Sequence, residues 1–304
     1  MRIGFISDIH IDYNRHYNFV DLMAEAAERK QLDYLVFLGD TCTGGSRTLE
    51  FYDRLAKRTA VKIREIPGNH DQYVWPVKGK TGEQIRAEAR VNYHLLNTHP
   101  EYSLWKHPVV TKDWLITGLC GWYDFSFQKG YPNIDTQKYA AKWVAGGLWP
   151  DIRFIDGGRV NAALDARRVE RDMELLAPIL ENPAYKGKKR CVAMHMIPTK
   201  LLVTRHHIPF YMAGVNFLGS EKYRAFFEKH RVALSVSGHS HMAKIKKWKG
   251  ITYANVSLGY GFQWRRPGDA LAEIMEVMYV ISDEKDRVSA NSQGSELAER
   301  GDAL

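Results

Sequence analysis

The feature that most constrains this chain is a set of five short segments rich in aspartate and histidine, nearly all of which follow an apolar, strand-like run. The segments are Asp8-Ile9-His10, Gly39-Asp40, Gly68-Asn69-His70-Asp71, Met194-His195 and Gly238-His239-Ser240-His241. Parallel strands end at the same edge of a sheet, so side chains that are far apart in sequence can meet there. The pattern therefore predicts that carboxylates and imidazoles converge at one sheet edge.

A cluster of this composition indicates a site for divalent metal ions. Magnesium and calcium sites are built almost entirely from oxygen ligands, whereas mixed imidazole and carboxylate ligands suit Mn, Fe, Zn or Co. Two ions held about 3.5–4 Å apart share a bridging ligand, and a carboxylate has two oxygens to share. We therefore expect two divalent transition-metal ions (Mn, Fe or Zn), with Asp40 as the bridging residue.

These segments, in this order, resemble those of the calcineurin-like metallophosphoesterase family, and the resemblance spans residues 3–241. It implies an α/β fold in which two mixed β-sheets, flanked by helices, form a layered αββα sandwich. It also implies two sets of metal ligands that share one residue. One ion would be held by Asp8, His10, Asp40 and His241, and the other by Asp40, Asn69, His195 and His239.

The resemblance places His70 off the metal ions. In the family this histidine lies beside the phosphoryl group and helps to protonate the leaving oxygen, which would make His70 catalytic, with Asp71 as its orienting partner. Two positions depart from the family pattern: Thr43 stands where an acidic residue is often found, and the usual glycine is missing before His195. Neither departure removes a metal ligand.

The expected reaction is hydrolysis of a phosphate monoester or diester, including a nucleotide or a cyclic nucleotide. Bound divalent ions lower the pKa of water from about 15.7 toward about 7, which makes hydroxide available for in-line attack. Two alternatives stay open: a metal-dependent nuclease that acts on polymeric nucleic acid, and a non-catalytic metal-binding scaffold. The complete set of ligand-type residues speaks against the scaffold.

The apolar pattern predicts one catalytic domain, residues 1–281, in which strands and helices alternate. Strand-like runs cover residues 2–7, 34–38, 61–66, 114–119, 190–195 and 232–237, and later runs at 243–257 and 274–281 suggest a second sheet. Helical patterns cover residues 19–27 behind Asn18, a candidate N-cap, and also residues 83–96 and 160–180. Residues 282–304 are polar, and we expect a flexible tail there.

Three insertions interrupt the domain, at about residues 72–113, 121–158 and 198–219. Loops at the ends of site-bearing strands line the pockets of α/β enzymes, so we expect substrate contacts there. The candidates are Trp122, Tyr123, Arg205 and His206. Packing in the core is the alternative for the two aromatic residues, and a solvated loop is the alternative for the other two.

The net charge of +8 favours an anionic partner such as a phosphoester substrate. The tail carries six acidic and three basic residues, so the catalytic domain has a charge of about +11. Nucleic acid is an alternative partner that the basic stretches at 186–190 and 244–249 do not favour, because a turn and a half-exposed strand explain them. The oligomeric state stays open.

The three cysteines cannot form a disulfide framework, and Cys120 and Cys191 lie in apolar runs where burial is expected. Cys42 lies close to Asp40 and could approach the metal ions, although thiolate ligands belong to other types of site. No run reaches the length of about 20 apolar residues that a membrane span needs. The first strand begins at residue 2 without a leader segment, so we expect a cytoplasmic location.

Overall fold

The computed structural model describes residues 1–128, 143–144, 147–204 and 214–283. Strands and helices alternate along much of this part of the chain, as the apolar pattern predicts. The strands are β1 (Arg2–Ile6), β2 (Tyr34–Phe37), β3 (Lys62–Glu65), β4 (Val109–Val110), β5 (Trp114–Leu119), β6 (Trp143–Val144), β7 (Gly147–Leu148), β8 (Lys189–Met194), β9 (Val232–Ser237), β10 (Lys244–Trp248), β11 (Ile251–Asn255) and β12 (Tyr279–Ser282).

Helices occupy most of the connections between these strands. They are α1 (Phe19–Arg29), α2 (Gly45–Arg58), α3 (Asn69–Gln72), α4 (Gly82–Asn97), α5 (Pro150–Phe154), α6 (Ala162–Glu181), α7 (Glu221–Lys229) and α8 (Ala270–Val277). The predicted N-cap is confirmed, because the Asn18 side chain accepts a hydrogen bond from the backbone N–H of Asp21. Thr81 caps α4 and Asn161 caps α6 in the same way.

Two mixed sheets form the centre of the described part of the chain. A four-stranded sheet has the order β12-β1-β2-β3, and a six-stranded sheet has the order β10-β11-β9-β8-β5-β4. The strands that carry the predicted site, β1, β2 and β3 in one sheet and β8 and β9 in the other, run parallel within each sheet. The antiparallel strands β12, β4 and β10 lie at sheet edges.

The layers follow from the alternation of side chains along the strands. Phe5, Val36, Ile116 and Val236 belong to an apolar core that is shared by the facing sides of the two sheets. Helices α1, α2 and α8 cover the outer face of the four-stranded sheet, and α6 and α7 cover that of the six-stranded sheet. The expected αββα sandwich of two mixed sheets flanked by helices is confirmed.

The two sheets touch at the edge where the site segments lie. Ser7, directly after β1, forms an isolated parallel bridge with Ser257, two residues after the end of β11. The backbone N–H of Ser7 donates to Val256 (3.2 Å), and the N–H of Leu258 donates to Ser7 (2.9 Å). This contact joins the ends of strands from both sheets, so loops from both can meet there.

The structure corrects the assignment of residues 274–281 to a strand. Residues up to Val277 are helical in α8, and only Tyr279–Ser282 form a strand. The Asp269 side chain caps α8 by accepting a hydrogen bond from the N–H of Ala272 (2.9 Å), and Ile274 is buried. A short apolar run fits a buried helix as well as a strand, which explains the error.

The insertions and the tail are partly described. Residues 72–113 contain α4 and β4, and residues 121–158 contain α5 and the antiparallel pair of strands β6 and β7. Residues 205–213 of the third insertion and residues 284–304 of the predicted tail lie outside the described residues. No helix in the described ranges has both the length and the apolar character needed to cross a membrane.

Candidate metal centre

The loops that follow five strands deliver the seven predicted metal ligands. Asp8 and His10 come after β1, Asp40 after β2, Asn69 after β3, His195 after β8, and His239 and His241 after β9. Five of these residues are buried, namely Asp8, His10, Asp40, Asn69 and His195. The structure brings all seven together into two adjoining groups.

The first group contains Asp8, His10 and His241, whose candidate ligand atoms all lie within 4.8 Å of one another. The Nε2 atoms of His10 and His241 face each other at 3.0 Å. His241 Nε2 is 3.4 Å from Asp8 Oδ1, and His10 Nε2 is 3.8 Å from Asp40 Oδ2. One ion between these atoms would satisfy imidazole and carboxylate lone pairs at the same time.

The second group is centred on His195. Its Nε2 atom is 2.9 Å from Asn69 Oδ1, 3.1 Å from His239 Nδ1 and 3.4 Å from Asp40 Oδ1. Asp40 therefore turns Oδ2 toward the first group and Oδ1 toward the second. This is the geometry that a bridging carboxylate would have.

The donor atoms fit divalent cations. Asp8 and Asp40 are buried carboxylates, and burying such a charge is costly unless the group is paired or coordinates a metal ion. The Nε2 atoms of His10 and His241 point at each other, an arrangement that a shared cation between them would stabilise. Four imidazoles with carboxylate and amide oxygens match the preferences of transition metals better than those of magnesium or calcium.

Three further groups orient the imidazoles. His195 Nδ1 bonds the backbone carbonyl of Leu38 (2.8 Å), and His239 Nε2 bonds that of Phe217 (3.1 Å). His241 Nδ1 bonds Oε1 of Gln263 (3.0 Å). Each of these oxygens accepts the N–H of one ring nitrogen, so the other nitrogen faces the cluster and, in the neutral imidazole, can bind a cation.

Sequence reasoning missed these orienting groups. The bonds to the backbone carbonyls of Leu38 and Phe217 could not be predicted, because every residue has such a carbonyl and the residue type does not show which one accepts. Gln263 lies 22 residues after His241, in a 3-10 turn that spans Gly261–Gln263. Only the fold places these groups next to the imidazoles.

The backbone at the cluster adopts conformations that are uncommon for residues other than glycine. Positive φ values occur at Asp8 (58°), His10 (41°), Asp40 (53°), His239 (68°) and His241 (53°). Left-handed conformations of this kind cost energy and concentrate at functional sites. Five of the seven predicted ligands are therefore held by a backbone that the surrounding fold must stabilise.

Two glycines permit the close approach of the ligand loops. A Cβ atom on Gly68 would lie 2.2 Å from Asp40 Oδ1, and one on Gly238 would lie 1.9 Å from Ser7 Oγ and 2.6 Å from Asp8 Oδ2. Any side chain at these positions would displace the carboxylates.

Electrostatics keep both carboxylates ionised. Burial favours the neutral form of Asp8, but the hydrogen bond and the charge of His241 lower its pKa. Burial also favours the neutral form of Asp40, but the charges of His195 and His70 hold the pKa of Asp40 well below its usual value. Burial lowers the pKa of His239 to about 3. Burial also opposes protonation of His195, yet Asp40 raises the pKa of this imidazole to about 9.

His70 lies beside the two groups and is partly exposed. Its Nε2 atom is 4.0 Å from Asp40 Oδ2, and its side chain is 15% exposed, whereas that of His10 is fully buried. The ring contacts His10 (centroids 4.8 Å apart) and Tyr73 (4.4 Å). With His10 and Asp40 it also forms a group of closely spaced ligand-type atoms. A molecule that reaches the cluster from solvent would meet this imidazole.

The contacts of Asp71 differ from the predicted one, in which Asp71 orients His70. Among the described residues, the hydrogen-bond donors to its carboxylate are the backbone N–H groups of Asp40, Thr41, Cys42 and Gly68 and the hydroxyl of Thr48. His70 is not one of these donors, so the expected orienting contact with His70 is not made. Asp71 instead holds the loop that presents Asp40.

The predicted substrate contacts of Trp122 and Tyr123 are corrected. Their side chains are 3% and 0% exposed, and their rings stack with centroids 4.9 Å apart. Trp122 Nε1 donates to Asp165 (2.7 Å), and the Tyr123 hydroxyl donates to Asp151 (3.1 Å). Both rings therefore pack in the core, out of reach of a substrate. The other two candidates, Arg205 and His206, lie outside the described residues.

The cysteines are buried and free. Burial, together with the charges of Asp12 and Asp71, raises the pKa of Cys42 to about 12. The thiol of Cys42 therefore stays protonated at neutral pH and is a poor metal ligand. Cys120 and Cys191 are buried in apolar surroundings, as expected.

Comparison with known proteins finds a family model that matches this chain and solved structures that resemble it. The model of the family described as calcineurin-like phosphoesterase matches residues 1–243. The fold is similar to that of the phosphopantetheinyl hydrolase from Mycobacterium tuberculosis, with a TM-score of 0.67 and 19% identity over 93% of this chain and 96% of that one. A dimetal phosphatase from Danio rerio is 14% identical, with a TM-score of 0.49 over 84% of this chain and 86% of that one.

No curated protein sequence matches this chain significantly. The family match nevertheless covers most of the chain and includes every one of the seven ligand-type residues. The matched segments are also the ones that the fold brings together where strand ends of the two sheets adjoin. The chain therefore belongs to the calcineurin-like phosphoesterase family and is a metal-dependent phosphoester hydrolase.

Proposed function

We propose that this protein hydrolyses a phosphate monoester or diester with the help of two divalent transition-metal ions. The observation that carries the proposal is the position of Asp40, whose Oδ2 faces His10 and whose Oδ1 faces His195. A two-ion site needs a ligand that offers one oxygen to each ion. Asp8, His10 and His241 would complete the first ion's ligands, and Asn69, His195 and His239 those of the second.

The ions would be Mn, Fe or Zn, because four of the proposed ligands are imidazoles. When bound, two such ions lower the pKa of a coordinated water and neutralise the phosphoryl oxygens of the substrate. Asn69 contributes a neutral oxygen where another carboxylate would add a negative charge. The second group therefore leaves more positive charge for an anionic ester.

His70 is the proposed general acid. It stands at the exposed side of the cluster, with Nε2 toward the bridging carboxylate and its ring against Tyr73. A phosphoryl group held at the cluster would lie next to this nitrogen. His70 would then give its proton to the leaving oxygen, a contribution typically worth about 10²–10⁴ in rate.

The proposal is tested with p-nitrophenyl phosphate and bis-p-nitrophenyl phosphate, assayed with Mn, Zn, Fe or no metal. The metal content of each protein is measured in parallel. We expect turnover that requires metal, and the ratio of the two rates ranks monoester against diester. Polymeric nucleic acid as the substrate would show turnover that falls steeply as salt rises.

Two variants separate the proposed roles. Asp40→Ala should lose both bound metal and turnover, because both ions lose a shared ligand. His70→Ala should keep its metal and lose kcat. Glu174→Ala, which removes an exposed carboxylate on α6, serves as the control. Fully metallated protein without turnover on either ester would favour the scaffold alternative, and full metal content in Asp40→Ala would refute the bridge.

A further inference from the structure

Three aromatic rings lead from the first ligand group to the protein surface: Tyr13, Tyr260 and Phe262, here called the aromatic platform. The ring of Tyr260 lies 4.6 Å from that of His10 and 4.6 Å from that of His241. Phe262 stacks on Tyr260 at 5.5 Å with an interplanar angle of 16°, and Tyr13 lies 5.2 Å from Tyr260. The platform is therefore continuous with two proposed metal ligands.

The platform presents apolar surface to solvent. Phe262 is 83% exposed and Tyr13 is 57% exposed. Single exposed apolar residues are common on protein surfaces, but a connected aromatic patch beside a catalytic site marks a place where a ligand binds. Exposed ring faces bind planar groups by stacking, with little regard to the identity of the group.

The loop that carries two platform residues is held rigidly. The buried residue Asn14 donates through its side chain to the carbonyls of Ile9 (2.9 Å) and Gly259 (3.0 Å), and accepts from the N–H of Gly261 (2.7 Å). The N–H of Tyr260 donates to Oε1 of Gln263 (2.8 Å), the same atom that bonds His241. One turn thus positions Tyr260, Phe262 and an imidazole of the proposed metal centre.

We propose that the aromatic platform binds a planar aromatic group, with a nucleobase as the occupant we favour, that is carried by the phosphoester substrate. This inference rests on the proposed hydrolysis, since the phosphoryl group must lie at the metal centre. From there, the remainder of the ester extends over Tyr260 toward Phe262. The platform side chains carry no charge at neutral pH, so they select for a flat apolar face and not for a second anionic group.

The test compares two esters that differ only in the base, adenosine 5′-monophosphate and ribose 5-phosphate, by release of inorganic phosphate. A second pair, bis-p-nitrophenyl phosphate and methyl p-nitrophenyl phosphate, tests an aryl group in diesters. In Phe262→Ala, the preference in kcat/KM for the aromatic member should fall about tenfold, mainly through KM. Phe262→Tyr keeps a ring and should retain the preference.

Trp248→Ala is the matched control, because Trp248 is also exposed (43%) but lies on the hairpin at the far end of β10. This variant should leave the preference unchanged. If Phe262→Ala lowers the preference for adenosine 5′-monophosphate over ribose 5-phosphate, the platform is a nucleobase site. If it lowers only the preference within the pair of aryl diesters, the nucleobase assignment is overturned. An unchanged preference in both Phe262→Ala and Tyr13→Ala would overturn the platform itself.

Failure of the proposed hydrolysis can be distinguished from failure of the platform proposal. In the first case, metal-loaded protein would turn over no ester of either pair. Calorimetric binding of adenosine 5′-monophosphate and ribose 5-phosphate then tests the platform directly. Tighter binding of the nucleotide, lost in Phe262→Ala, would support the platform. Equal binding of the two esters would refute it.

Discussion

Asp151 accepts a hydrogen bond from Nδ2 of Asn69 at 3.1 Å, while Oδ1 of the same amide faces His195 Nε2 at 2.9 Å. Asp151 is fully buried. Its other donors are the hydroxyls of Tyr73 (2.8 Å) and Tyr123 (3.1 Å) and the indole of Trp149 (2.9 Å). If the amide turned over, its oxygen would face the Asp151 carboxylate, so Asp151 determines that the oxygen points into the second ligand group.

Asp151→Asn should weaken binding of the second metal ion about 10–100-fold, as is typical for groups that orient metal ligands. The neutral amide no longer favours one orientation of Asn69. Calorimetric titration of metal-free protein with Mn or Zn measures the effect. Asp165→Asn, also buried but bonded to Trp122, is the control. Equal losses in both variants would point to a general packing defect and contradict the orienting role.

Gly238→Ala should damage the first ligand group. The added methyl group would collide with Ser7 Oγ and with Asp8 Oδ2, which cannot both move because they are buried. We expect a stability loss of about 1–3 kcal/mol and loss of one bound ion. Urea unfolding and metal content measure these effects. Gly268→Ala, where nothing lies within 4 Å of the new methyl group, should change neither quantity.

Asp71→Ala should destabilise the metal-free protein by about 3 kcal/mol or more, because it leaves several donors of the Asp40 loop without an acceptor. Asp71→Asn keeps one acceptor oxygen and should cost less. Urea unfolding of the metal-free variants measures the effect. A normal unfolding free energy combined with a kcat as low as that of His70→Ala would instead support direct action of Asp71 on His70.

Glu65→Gln should raise stability at neutral pH. Glu65 is 1% exposed, and neither carboxyl oxygen has a hydrogen-bond partner among the described residues. Burial, with a smaller contribution from the charge of Asp71, raises the pKa of Glu65 well above its usual value of 4.5. Because the folded pKa exceeds the unfolded one, stability falls as pH rises above about 4.5, by up to about 1.4 kcal/mol per unit.

The amide cannot ionise, so the difference in unfolding free energy between Glu65→Gln and the native protein should grow with pH. This difference in unfolding free energy should be small near pH 4. It should stop growing at the pH at which Glu65 ionises in the folded protein. Urea unfolding at several values between about pH 4 and pH 8 measures this dependence. A difference that stays constant with pH would mean that Glu65 titrates alike in the folded and unfolded states.

The fold and the clustering of the candidate ligand residues could be predicted because both leave local signals. Strands β5 and β9 match the predicted runs at both ends. The run at 274–281 is ambiguous because periodicity does not separate a short buried helix from a strand. In the structure its first part belongs to α8, which Asp269 caps. Trp122 and Tyr123 follow a site-bearing strand, but their large apolar rings bury themselves beneath α6.

The sequence by itself determined which residue types would converge at strand ends, because apolar runs specify strands and parallel strands end together. Only the tertiary structure decided that these ends come from two sheets that adjoin there, and not from one sheet. Only the tertiary structure decided which oxygen of Asp40 faces which group, which atom of Asn69 points inward, and that Asp71 holds a loop and does not orient His70. These outcomes depend on contacts between segments that are distant in the chain. Asp151 illustrates the reason: it lies 82 residues from Asn69, and no local pattern records their hydrogen bond.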